Sequence, residues 1–243
     1  MQVLDALLEV RTPLNLEQIC ERTGLVKSTA FRIVVNLLDG QYLTQMDEGY
    51  WLGLKLLRLG ALVEEKLDLK QVAQPFLAQL RNKVNETVHL AVLDDEWRVV
   101  YLDKLSPRQS IGIMMSRVGI TTPMVCTGLG KAMAAFHSDD EIRQWLGKNK
   151  LERYTDTTIT DAEELVRELS VVRGRGYSTD NGEHEEHVRC IAAPIRNRRG
   201  QVIAALSVAG PDTRMPMPLL GSPMAMQIVE TAQAISAALG YPV

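Results

Sequence analysis

Between Gly176 and Gly210 the sequence gathers Asp180, His184, His187, Cys190 and Ser207. Residues of these types could do three kinds of chemistry. Cys190, with His184 or His187 as its base and Asp180 beside them, would form an enzyme acting on a small acid, which requires thiol and base within hydrogen-bond reach. Cys126, Cys190 and His184 could hold a metal, although their spacing is not that of a structural zinc site. Small polar groups on an apolar wall could instead line a ligand pocket. Spacing weakens the first option. Cys190 and His187 are three positions apart, and such positions point to opposite faces of an extended strand. No other Cys–His pair is supported by the spacing. Neither a catalytic residue nor a resident cofactor or metal is expected.

The elements that would position these groups are legible nearby. Cys190–Ile195 and Val202–Val208 are apolar runs flanking the polar turn Arg196–Gly200, which predicts a β-hairpin. Alternation puts Ile191, Ala193 and Ile195 on one face and Cys190 and Ala192 on the other. In the second strand Val202, Ala204, Leu206 and Val208 share a face, opposite Ala205, Ser207 and Ala209. A core face wants volume. The small face either leaves room for a ligand or receives a closely packed helix. Upstream, Cys126–Lys131 reads CTGLGK and leads into a helix over Ala132–Phe136, so free backbone N–H groups could face an anion. The spacing is not that of a P-loop, which argues against nucleotide binding.

The whole chain has 243 residues, enough for one large or two ordinary domains. Three distant cysteines argue against a disulfide framework and for a reducing, cytoplasmic setting. No apolar run reaches membrane-spanning length and no signal peptide opens the chain. The net charge is −3, and residues 1–66 carry more Asp and Glu than Lys and Arg. Any binding of DNA must therefore come from local placement rather than a bulk positive field.

The N-terminal pattern offers such a placement. Helices are expected over Met1–Val10, Leu16–Arg22 and Lys27–Asp39, the last two joined by a Gly turn and the third stopped by Gly40. Ala30, Ile33, Val34 and Leu37 form the inward stripe of the third helix, and Ser28, Phe31, Arg32 and Val35 the outward one. Tyr42–Met46 and Tyr50–Leu52 flank Asp47-Glu48-Gly49 as a hairpin. Together these make a winged helix-turn-helix over 1–53, with Lys27, Ser28, Thr29 and Arg32 suited to phosphates and base edges. Leu54–Lys66 is apolar almost all round and is expected to be buried, by a second subunit or by the following helix, which makes 54–67 a linker or dimerisation helix. Residues 68–243 form the second domain. Pro75 is expected to interrupt its first helix. Thr87–Leu93, Arg98–Lys104 and Ser110–Met115 read as strands. Capping boxes at Ser138–Glu141 and Thr160–Glu163 start helices, and Ser222-Pro223 starts the last one.

Taken together, GLVKSTAFRIVVNL (24–37), YWLGLKLLRLG (50–60), ETVHLAVLD (86–94), TGLGKAMAA (127–135), CIAAPI followed by GQVIAALSVAG (190–210) and TAQAISAALGY (231–241) resemble the IclR family of bacterial transcriptional regulators nearly end to end. The resemblance implies an α+β chain: an N-terminal winged helix-turn-helix, a linker helix, and a C-terminal effector domain with a curved antiparallel sheet flanked by helices, GAF- or profilin-like. It implies homodimers or homotetramers, palindromic operator DNA and a small carboxylate effector, with pieces closest to the branch that responds to sugar acids. Carried onto this sequence, the effector residues are Gly128, Leu129, Asp180, Cys190 and Ser207, and the DNA-binding residues are Lys27, Ser28, Thr29, Phe31 and Arg32. Two departures stand out. The arm that often precedes the first helix is lacking, and Phe31 replaces a polar or His side chain. N–H groups at Gly128–Gly130 would take a carboxylate, whereas an ionised Asp180 would accept from hydroxyls. That combination favours a hydroxylated monocarboxylate.

Overall fold

A computed structural model describes residues 2–65, 68–107 and 116–242. The chain divides into two compact units, 1–68 and 69–243. The strand expected over Ser110–Met115 lies outside the described residues.

The first unit holds α1 (Gln2–Leu8), α2 (Leu16–Thr23), α3 (Lys27–Asp39), β1 (Leu43–Met46), β2 (Gly49–Leu52) and α4 (Leu54–Glu65). Asn15 and Gln18 form a reciprocal capping box at the start of α2, and Gly24 ends it in a left-handed conformation. Val3, Leu7, Ile19, Ala30 and Val34 are buried together between the three helices. Leu8, the last residue of α1, is exposed. Gly40 does end α3 but stays right-handed, and the reversal falls on Gln41 at φ +60. β1 and β2 pair antiparallel, and Leu14 bonds to Tyr50 in both directions as a short third strand. A Cβ on Gly49 would lie 2.5 Å from the Leu14 backbone, so only glycine lets the hairpin approach this closely.

α4 departs from expectation. Leu54, Leu57, Leu59 and Leu62 are all exposed, Leu57 by 71%.

The second unit comprises α5 (Asp68–Val84), β3 (Thr87–Leu93), β4 (Val99–Leu105), β5 (Thr121–Thr122), α6 (Gly128–Ala134), α7 (Asp139–Leu146), α8 (Ala162–Arg175), β6 (Ser178–Asn181), β7 (Val188–Arg196), β8 (Val202–Pro211) and α9 (Pro223–Ala238). The strands form one antiparallel sheet in the order β5-β4-β3-β8-β7-β6. One face carries Leu90, Ile191, Ile195, Leu206 and Val208 and is packed by Leu77 and Leu80 of α5 and Ile228 and Ile235 of α9. The other carries Ala91, Cys190, Ala192, Ala205 and Ala209 and receives Leu129, Ala132 and Met133 of α6. α6, α7 and α8 close a third core around Cys126, Ile142 and Leu169.

Several boundaries correct the sequence expectations. α5 runs through Pro75 without interruption, held by the buried stripe Leu69, Ala73, Leu77 and Leu80. The Gly loop is itself the first turn of α6: Thr127 caps the helix and Gly128 opens it. α8 is capped by Asp161 rather than Thr160, with its carboxylate accepting from the Glu164 N–H. Val202 packs with the small-residue face because the β7–β8 register slips at Arg196↔Val202, and the extra residue Ile203 reverses the alternation. No helix among the described residues is long and apolar enough to cross a membrane.

Candidate functional site

The small-residue face is only partly filled by α6. Beyond the helix start lies a cavity of ≈ 40 Å³ whose lining includes Gly128, Leu129, Asp180, Cys190 and Ser207. The sheet brings them there in rows. Asp180 of β6 stands opposite Cys190 of β7, which stands opposite Ala209 of β8. In the next row Ser178, Ala192, Ser207 and His89 face one another across four strands. Both small-face alternatives are therefore realised, a close helix over Ala192 and Ala205 and a cavity at its end.

The two glycines of α6 have separate reasons. A Cβ on Gly128 would come within 2.9 Å of the Cys190 sulfur, and one on Gly130 within 2.2 Å of the Met124 carbonyl oxygen. Ser178 Oγ donates to the Gly128 carbonyl at 2.5 Å and ties the helix start to β6. The Gly130 N–H is already bonded to the Thr127 hydroxyl at 3.2 Å, so it does not face an anion as the sequence suggested. Gly128 and Leu129, at the first two helix positions, have no carbonyl one turn back within the helix.

Burial sets the protonation of the lining. The Asp180 carboxyl is pushed up to about 7, by burial first and then by the neighbouring Glu183, with Lys131 opposing. Near neutral pH it is present in both forms, so it can donate as well as accept a hydrogen bond. The acceptor role expected of Asp180 belongs to its ionised form. Its Oδ1 accepts from the Glu183 N–H at 2.8 Å. Behind it Lys131, 1% exposed, donates to both Glu183 oxygens at 2.5 and 2.6 Å. Burial holds the Cys190 thiol up at about 12 and the His89 imidazole down at about 3. Cys190 is a neutral thiol and His89 a neutral ring.

His89, Ser116, Tyr101, Lys131 and Glu183 were not expected at the site. His89 Nε2 lies 2.9 Å from Ser116 Oγ and its Nδ1 3.3 Å from Ser207 Oγ. A neutral imidazole has one donor and one acceptor nitrogen, so one serine must donate to it and the other accept. Its ring meets Tyr101 edge-on at 5.1 Å. The only sequence signal for His89 was its parity within TVHLAVL, which puts it on one face with Thr87 and Ala91.

The catalytic and metal alternatives find no support here. His187 is exposed and contacts Asp212 at 3.3 Å, outside the cavity. His184 lines the cavity, but its ring lies against that of Tyr154, tilted by 54°, and the thiol it would activate is held neutral. Cys126 belongs to the core of α7 and α8, while Cys190 belongs to that of α6. No group of His, Cys, Asp or Glu that could hold a metal occurs among the described residues.

In the first unit Lys27, Ser28 and Arg32 are exposed on α3, Thr29 is half-buried, and Phe31 is 50% exposed.

A winged helix-turn-helix followed by a sheet domain with a cavity at the end of its small-residue face defines a ligand-responsive DNA-binding regulator. Residues 61–237 match the family model of the bacterial transcriptional regulator IclR C-terminal domain, and residues 1–47 match the IclR helix-turn-helix domain. The chain belongs to the IclR family of transcriptional regulators. It is 36% identical to the HTH-type transcriptional regulator KdgR of Escherichia coli over 98% of this chain and 90% of that one. The crystal structure of Thermotoga maritima IclR superposes with a TM-score of 0.75 at 30% identity, covering 99% of this chain and 96% of that one. An IclR homologue from Microbacterium hydrocarbonoxydans, crystallised with 4-hydroxybenzoate, gives 0.82 at 30% identity over 98% and 96%. These relatives are regulators, not enzymes.

Proposed function

We propose that this regulator, working in the cytoplasm, reads a palindromic operator of a catabolic operon through Lys27, Ser28, Thr29, Phe31 and Arg32. In this reading it senses a hydroxylated monocarboxylate, such as a sugar acid, at Gly128, Leu129, Asp180, Cys190 and Ser207. The observation that carries the effector reading is the convergence of α6, β6, β7 and β8 on one cavity, with these five residues on its wall. The Gly128 and Leu129 N–H groups suit the carboxylate. Asp180, Ser207 and, through Ser207, His89 suit hydroxyls. The Microbacterium relative supports this class, since 4-hydroxybenzoate is a monocarboxylate bearing a hydroxyl. The exposed leucines of α4 support a homodimer or homotetramer built through that helix.

Titrating protein–operator complexes with sugar acids and other small carboxylates tests the reading. Arg32→Ala loses operator binding while keeping the wild-type melting curve, because Arg32 fills no core. A lost base contact is worth about 1–3 kcal/mol. Asp180→Ala keeps operator binding and loses the response. An effector can shift the equilibrium only by its differential affinity for the two states. An Asp180→Ala protein responding at the wild-type concentration would move the effector site elsewhere. Leu57→Glu yields monomers in sedimentation, since a charge buried without a partner separates the subunits. An intact oligomer would remove α4 from the interface.

A further inference from the structure

The effector cavity is small for the ligand class proposed for it. A single water needs about 10–15 Å³ of such space, so ≈ 40 Å³ admits only a few atoms of that size. A second, open hollow of ≈ 890 Å³ lies on the same unit, lined by Trp97, Trp145, Tyr154, Thr122, Pro123 and Glu152 among others. Three contacts join the two linings directly. Thr122 Oγ1 donates to the Tyr101 hydroxyl at 3.4 Å, Thr127 Oγ1 donates to the Pro123 carbonyl at 2.9 Å, and the rings of Tyr154 and His184 lie 5.2 Å apart. The two hollows therefore adjoin at these three contacts.

The three parts of that partition differ in what holds them. Tyr101 is buried within β4, and Thr127 is the cap of α6. Tyr154 is 41% exposed and meets His184 by ring contact. Yet the two backbones behind these rings are sewn together. Thr155 and Thr157 hydroxyls donate to the Gly182 carbonyl at 2.6 and 2.8 Å, and the Thr158 hydroxyl donates to the Glu183 carbonyl at 2.6 Å. Hydrogen bonds therefore hold the main chain at this point, and the two rings are the side-chain part of the partition.

We propose that the effector site has two compartments: the polar cavity, and the outer groove reached past the Tyr154–His184 ring pair. The ligand class this implies is a carboxylate whose hydroxylated chain outruns the inner cavity. Its charged end lies at Gly128 and Leu129. Its tail lies in the groove, where indole and phenol faces meet C–H surfaces and Glu152 meets hydroxyls. The proposal rests on the reading of the inner cavity as the effector site.

The Cys190 thiol on the inner wall reports passage without any effector. Full-length protein is treated with iodoacetamide at fixed pH, and alkylation of the Cys190 peptide is followed by mass spectrometry at several low urea concentrations. His184→Ala and Tyr154→Ala should each label about tenfold faster than wild type, with a rate flat in urea, because removing a ring opens the path without unfolding. Tyr154→Phe, which keeps the ring and loses the hydroxyl bonded to Glu152 at 3.1 Å, should label at the wild-type rate. Monobromobimane, too large for the inner cavity, should add to Cys190 in His184→Ala with its emission quenched by the groove indoles, and recover brightness in the added variant Trp145→Phe. Unchanged rates in both ring deletions, acceleration that climbs with urea, or a bimane adduct insensitive to Trp145→Phe would each overturn the two-compartment site. Because no effector is used, such a failure leaves the Asp180 operator titration standing, and a failure of that titration leaves the path intact.

Discussion

The two faces of the β7–β8 hairpin come from the same residues in alternation, yet one is solid and the other is not. On the solid face Ile191, Ile195, Leu206 and Val208 meet the leucines and isoleucines of α5 and α9. On the other, Ala192, Ala205 and Ala209 are equally apolar but too short to reach α6 everywhere, and the remainder becomes the cavity. Side-chain volume, not polarity, separates a core from a binding wall here. Polar groups are tolerated on the small face because they find partners: Ser178 on the Gly128 carbonyl and Ser207 on His89.

Neighbouring residues on opposite faces give the strongest test of that contrast. Leu206→Ala should cost about 2–5 kcal/mol in urea unfolding with an unchanged slope, as a large buried side chain leaves a void. Ser207→Ala should cost about 1 kcal/mol, the net worth of an ordinary hydrogen bond. Equal losses would mean that the small face is as tightly packed as the large one. Next in size is Gly128→Ala, which drives a methyl toward the Cys190 sulfur and should cost about 1–3 kcal/mol as overpacking. Adding Cys190→Ala should restore much of it, and simple additivity would show that the two do not touch.

The same contrast can be sharpened through pH. Asp180 sits at about 7 in the folded state against 3.8 when free, so between roughly pH 4 and 7 the folded chain holds a proton that the unfolded chain has lost. Its contribution to stability therefore declines as pH rises through that window. His89 has the opposite sign: with its pKa lowered from 6.5 to about 3, stability is lost as pH falls below 6.5. Melting curves should show Asp180→Asn gaining on wild type from pH 5 to 8, and His89→Gln gaining on wild type from pH 7 to 5. Slopes of the same sign would break the assignment of these two groups to a dry wall.

What could be read in the chain follows from how local each feature is. The β7–β8 alternation, the capping box at Ser138 and Glu141, and the helix-turn-helix with its wing are written in neighbouring residues. β6 reads Ser-Thr-Asp-Asn and has no strand signature; it is a strand because the edge of β7 takes it. His89 and Ser207 are 118 positions apart and Lys131 and Glu183 are 52 apart, so those pairs exist only once β3 lies beside β8 and α6 beside β6. Val202 faces the small side because of a single extra residue, Ile203, which alternation cannot foresee. Strand alternation and the Gly loop already pointed to Cys190, Ser207 and Gly128, and the family resemblance joined them with Leu129 and Asp180 as one effector site, while their partners and protonation needed the three-dimensional arrangement.

The approach of Gly128 to the Cys190 sulfur also bears on inheritance. Two positions separated by more than sixty residues along the gene share one small volume, so mutations at them are not independent events. A lineage that first shortens the side chain at 190 gains freedom to accept alanine at 128; one that meets the changes in the other order passes through a crowded, weakened intermediate. Among descendants of this regulator the two sites should therefore exchange bulk in a preferred order, and with it the width of the chamber in which the effector is recognised.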